Sequence, residues 1–198
     1  KRAILGRDTL GGVIEVAVLG LPVGLGSHVQ WDRKLEGRLA MALLSIQAMK
    51  GVEIGPAFDN AARMGTDVHD GIIAGDDGAL HRQTNHAGGL EGGITTGEPL
   101  LLRVAMKPIS TTLTSRATVD LATGETAQTQ YERSDICATP RAVPICEAMV
   151  ALVLADALLE KLGGDSMQEM LPRFATLPRS HLDDLTMNAQ PWRIGYEG

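Results

Sequence analysis

"GGLEGGITTGEPLLLRVAMKPIST", residues 88–111, sets an apolar, strand-like run between a glycine-dense turn and a loop of Lys, Pro, Ile, Ser and Thr. Glycine lets a backbone turn sharply or approach a ligand closely, because no side chain collides at φ > 0. The run "PLLLRVAMKP" reads as a strand with a proline at its exit. A strand leaving through Lys107, Ser110 and Thr111 delivers one cation and two hydroxyls to a sheet rim, where an anion can be received.

Upstream, "GGVIEVAVLGLP" (11–22) places Ile14, Val16 and Val18 on one face with Glu15 interrupting the other, the pattern of a half-buried strand. "DRKLEGRLAMALLSIQAM" (32–49) aligns Leu35, Leu39, Leu43 and Ile46 at helical spacing, with Asp32 as the expected cap. "GVEIG" (51–55) is a short strand, 58–63 a turn or two of helix, and 65–93 a long glycine-rich polar connector, a loop of a length that is usually functional or partly disordered. Downstream, "SRATVDLATGETAQTQ" (115–130) predicts a hairpin around Ala122, Thr123 and Gly124. Residues 142–162 form the second long helix, stopped by "GGD" and apolar on nearly every side from Ala148 to Leu159, which predicts burial all round.

Strand, helix, strand, hairpin, helix is an α+β order: an antiparallel sheet packed on a layer of helices near 32–49 and 144–162. With 198 residues the chain is long enough for one sizeable domain, placed at 1–171. From Pro172 it turns polar and proline-punctuated, so 172–198 is expected to be a loosely held C-terminal extension.

Only 3% of residues are aromatic and the net charge is -6, which argues against a nucleic-acid partner while leaving room for a small anion held by local cations. Cys137 and Cys146 lack CxxC or histidine pairing, so no metal site is expected and free thiols suit a reducing cytoplasm. The apolar run at 148–159 contains Asp156 and is too short for a bilayer, so no membrane partner is expected. The chain opens on Lys1 with a strand-like segment arriving at once, which predicts that upstream sequence has been removed.

Four clusters carry the candidate chemistry: "GLPVGLGSH" (20–28), "SIQAMKGVEIG" (45–55), the glycine turn with "KPIST", and "YERSDICATPRAVPICEAM" (131–149). In this order, from about Leu10 to Asp165, they closely resemble the later half of the chorismate synthase family. The most specific part is the pairing of "AGGLEGGITTGEP…RVAMKPIST" with "RSDICATPRAVPICEAM".

The resemblance implies half of a β-α-β sandwich and a flavin-dependent lyase that converts 5-enolpyruvylshikimate 3-phosphate to chorismate and phosphate. Reduced FMN is its cofactor, with NADP also associated with the family, and the implied setting is a cytoplasmic homotetramer. The implied flavin contacts are Gln47, Ala48, Gly92, Lys107, Pro108, Ile109, Ser110, Thr111 and Arg133. Their chemistry suits the role: Gly92 allows close approach, Lys107 is a compact cation, Ser110 and Thr111 donate, and Arg133 can clamp an oxyanion. Asp135, in "RSD", matches the family aspartate that assists proton movement near the flavin. Ser134 stands where many members carry His, so that position brings no role with it.

The family's catalytic histidines lie in its earlier half, and His28, His69, His81, His86 and His181 are not assigned to them. The implied partners are the substrate, further copies of the chain and that earlier half, without which this chain is expected to be inactive. Taken singly, Gln47 reads as a solvent-facing or inter-helix polar residue, Lys107 as a strand-end charge, and Arg133 with Asp135 as a surface ion pair. The rival functions are accordingly a folding and assembly domain, or a small-anion-binding module.

Overall fold

A computed structural model describes residues 1–184. The order is α1 (Arg2–Leu5), β1 (Gly12–Val18), α2 (Leu35–Leu44), β2 (Met49–Ile54), α3 (Ala57–Asn60), β3 (Ile72–Ala74), β4 (Leu80–Arg82), β5 (Leu90–Glu91), β6 (Ile94–Thr95), β7 (Leu100–Met106), β8 (Ala117–Val119), β9 (Thr126–Gln128), α4 (Thr139–Leu162) and α5 (Met167–Ala175). The opening stretch supplies β7, which is the central strand of an antiparallel sheet ordered β1-β7-β2.

Register explains the alternation in these strands. Ile14 and Val52 flank Val104, and Val16 and Ile54 flank Leu102, all on the face that meets the helices. The opposite face carries Glu15, Arg103 and Glu53 in a row, with Arg103 Nη1 2.7 Å from Glu53 Oε2. Leu35, Leu39 and Leu43 of α2 and Ala142, Cys146, Val150, Leu154 and Ala157 of α4 close the core. Arg38 ties the two helices together by pairing with Asp156 and Glu160. The fold is α+β, with its helices layered on one face of the sheet.

Three expectations are corrected. The first helix is shorter than 32–49, and Lys34 rather than Asp32 stands at its cap, with no side-chain bond. The physical reason is a substitute: Leu35 N donates to Gly93 O at 3.0 Å, so the glycine turn does the capping. The second helix begins at Thr139 and runs 24 residues, long and apolar enough to cross a membrane, but it is not buried all round. One face packs in the core, while Ile145, Leu152 and Leu159 are 49%, 65% and 51% exposed on the other. The connector at 65–93 is not structureless, since β3 pairs with β4 in an antiparallel hairpin.

The expected hairpin near residue 123 is present as β8 and β9. Position 172 falls inside α5, whose Ser166 cap accepts from Glu169 N at 3.4 Å. The part of the expected extension beyond residue 184 lies outside the described residues.

Candidate functional site

Three segments converge where β7 ends. Lys107 N donates to Ala48 O at 2.9 Å, fastening the exit of β7 to the turn after α2. Ala48 is held there at φ 68, a left-handed conformation that costs a non-glycine residue about 1–2 kcal/mol. Thr9 Oγ1 donates to Ile109 O at 2.6 Å, and Ser134 Oγ donates to Thr111 O at 3.0 Å. Leu10 N donates to Ile136 O at 2.8 Å, bringing the first residues of the chain against the segment that carries Asp135. Gln47, Lys107, Pro108, Ser110 and Arg133 are exposed, whereas Ala48, Ile109, Thr111 and Asp135 are half-buried.

Asp135 pairs with Arg141 in the first turn of α4, Oδ2 to Nη1 at 2.9 Å, rather than with Arg133. A cavity of about 30 Å³ opens beside it, bounded by Asp8, Thr9, Thr111, Tyr131 and Ser134.

Gly92 is elsewhere. It sits in the β5–β6 turn, which meets the start of β7, where Leu101 N donates to Gly88 O at 3.0 Å. Seven strand residues at about 3.4 Å each separate that end from Lys107, roughly 20 Å. Helix α2 runs between the two, meeting Gly93 at Leu35 and leading through Ala48 to Lys107. The structure therefore gathers Ala48, the Lys107–Thr111 loop and the Ser134–Asp135 segment, with Gln47 adjacent, and leaves Gly92 at the far end. At Gly92, φ is 64 and a Cβ would meet no atom within 4 Å, so its backbone faces open space.

Sequence reasoning missed the residues that build the Gly92 end. The Asp70 side chain is only 2% exposed and accepts from Thr84 Oγ1, from His86 N at 2.8 Å and from Ala87 N at 2.9 Å. Burial pushes its carboxyl up, but the donors from Thr84, Ala87 and His86, with the His86 charge, together bring it below the usual aspartate value. Asn85 accepts from Gly89 N at 2.9 Å and donates to Pro99 O at 2.8 Å. Glu36 Oε1 accepts from Gly93 N at 3.0 Å. The available signal was Asp and Asn among glycines, where short side chains satisfy turn amides. Asp8 and Thr9 also went unremarked, because only the fold brings them to residue 135.

A larger cavity, about 760 Å³, lies between the β3–β4 hairpin, residues 20–23 and the segment after α5, away from Lys107 and Asp135. Several of its polar groups are already engaged: Arg82 with Glu91, His181 Nε2 with Asp77 O, and Asp184 with the amides of Arg179 and His181. Among the described residues no three His, Cys, Asp or Glu side chains stand together to hold a metal ion.

The family model for chorismate synthase matches residues 1–159. The chain belongs to the chorismate synthase family. Chorismate synthase of Trichlorobacter lovleyi is 60% identical over 170 residues, covering 82% of this chain and 43% of that protein. The Saccharopolyspora erythraea enzyme is 61% identical over 163 residues, covering 82% and 41%, and that of Thermobifida fusca 56% over 178, covering 90% and 44%. A chorismate synthase crystal structure superposes with a TM-score of 0.73 at 47% identity, covering 88% of this chain and 44% of that one. The chain thus spans less than half the length of the chorismate synthases it matches.

Proposed function

We propose that this chain supplies the flavin-contacting half of a chorismate synthase, a lyase that takes 5-enolpyruvylshikimate 3-phosphate to chorismate and phosphate. The observation that carries this reading is the meeting of Ala48, the Lys107–Thr111 loop and Asp135 at one end of β7, in a chain of this family. The residues suit FMN: Lys107, Ser110 and Arg133 are exposed cations and donors for its oxyanions and carbonyls, and Ala48 and Ile109 offer backbone and apolar contact. Gly92, reached along α2, gives a second open approach. Reduced flavin supplies the electron density that the elimination draws on without net redox change.

The protein's own part is positioning and proton handling. Lys107 and Arg133 hold anionic groups at the exit of β7, where fixed donors gain strength once water is excluded. Asp135 receives the proton that the substrate loses, while Arg141 orients and neutralises its carboxylate.

The apolar outer face of the helical layer, with Met41, Leu152 and Leu159, receives the remaining length that the relatives carry, completing the sandwich. The same face supports the rival assembly role, since the chain without a cover self-associates through it. A cytoplasmic homotetramer, and NADP as an associated cofactor, complete the proposal.

Phosphate release from 5-enolpyruvylshikimate 3-phosphate with reduced FMN tests it. The 198-residue chain alone is expected to be silent, and the chain joined to the rest of the relatives' length active. Release by the chain alone overturns the half-site reading, and silence of the joined protein overturns the lyase.

A further inference from the structure

The small cavity beside Asp135 has the dimensions and lining of a water site. At about 30 Å³ it exceeds the roughly 10–15 Å³ that one water needs, and Arg7, Asp8, Thr9, Tyr131, Ser134 and Asp135 bring polar groups to a lining shared with Leu113 and Ile136. Most backbone acceptors around it are already taken: Ile109 O by Thr9, Thr111 O by Ser134, and Ile136 O by Leu10 N. One Asp8 oxygen is also spent, accepting from Thr9 N at 2.8 Å. With Asp135 Oδ2 held by Arg141, that leaves the second Asp8 oxygen, the Tyr131 hydroxyl and Asp135 Oδ1 to serve a guest, with the Arg7 side chain also on the lining. A water donating to both carboxylates and accepting from Tyr131 uses all three and makes the three hydrogen bonds typical of a structural water.

We propose that a water held in this cavity relays protons from Asp135 to Asp8. The inference rests on the proton-handling role proposed for Asp135. In the step, the O–H bond of protonated Asp135 breaks as its proton passes to the water, and the water gives one of its own to Asp8. Water is regenerated, Asp135 returns to carboxylate, and Asp8, which is exposed, releases the proton to solvent. The fold supports the geometry independently of the chemistry. Residues 9 and 10 are bonded to both the Ile109 and the Ile136 backbones, so Asp8 is carried to this position by two separate ties. Asp8 is therefore a relay residue, and Tyr131 a positioning residue that acts through the water.

The test has a structural and a kinetic arm. A high-resolution crystal structure of this chain is expected to hold an ordered water about 2.7–3.2 Å from both carboxylates. A dry cavity there overturns the proposal. Asp8→Asn keeps the oxygen that Thr9 N needs, so folding is preserved while the proton acceptor is removed. In the catalytically competent joined protein it is expected to lower kcat about tenfold and raise the solvent deuterium isotope effect, with flavin affinity unchanged. Tyr131→Phe should move the same two readouts in the same direction by a smaller factor.

If Asp8→Asn leaves kcat and the isotope effect unchanged while Asp135→Asn abolishes turnover, the relay is wrong and the role of Asp135 stands. If Asp135→Asn is silent as well, the reading of Asp135 fails and the relay falls with it.

Discussion

Where β7 begins, the buried side chain of Asp70 and the half-buried side chains of Asn85 and Glu36 tie down the amides of His86, Ala87, Gly89 and Gly93; where β7 ends, Lys107 and Ser110 stand exposed on a loop held mainly through its backbone. The first end spends most of its polar groups on itself, with Glu36 Oε2 and Asn60 Oδ1, among the described residues, the buried oxygens there left without a partner. The second keeps donors unspent, so binding there adds interactions that folding alone does not supply. One strand thus separates a structural end from a receptive one, and only Gly92, open at the structural end, crosses that division.

Substitutions at the two ends should differ accordingly. Gly88→Ala has the largest expected effect, because φ is 64 and a Cβ would stand 2.3 Å from Gly55 N. Strain and overpacking together should remove about 3–5 kcal/mol, read as a lower denaturant midpoint. Asp70→Asn should cost about 1–3 kcal/mol by weakening a buried acceptor of three donors.

Asp70 also sets an acid limb. Its native carboxyl ionises below its unfolded value, so its contribution is complete above the unfolded value and is lost as pH falls through the lower native one. Asp70→Asn should flatten that part of the stability curve. Gly92→Ala, with the same φ of 64 but open space around it, should cost only about 1 kcal/mol. Equal losses at Gly88 and Gly92 would erase the distinction between the packed and the open turn. Lys107→Ala, exposed, should change stability by less than about 0.5 kcal/mol.

The same contrast separates what could be read in the sequence from what could not. Alternation in residues 12–18 and helical spacing at Leu35, Leu39 and Leu43 carried the sheet and its first helix, because both patterns are local. The end of that helix was misplaced because Ala48 turns at positive φ, which nothing in its type announces. The start was misplaced because the capping partner, Gly93, is far away in sequence. Ile145, Leu152 and Leu159 are as apolar as the buried Val150 and Leu154, and composition does not say which neighbour covers a helix face. In the candidate site, the Lys107–Thr111 loop and Asp135 were legible from their motifs. Asp8, Thr9 and Arg141 were not, since their contribution exists only once three segments meet.

The claim that the end of β7 is the receptive one is tested most directly by a paired measurement in the joined protein: kcat and the dissociation constant of reduced FMN for Asp135→Asn and Lys107→Ala. Asp135→Asn keeps shape but loses the proton acceptor, so kcat should fall about 10²–10⁴-fold with flavin affinity nearly retained. Lys107→Ala should do the reverse, weakening flavin most at low ionic strength, where the lost attraction was least screened, and sparing kcat at saturating flavin. Small, equal effects from both changes, each matched by a fall in Tm, would contradict the account and return these residues to surface structure.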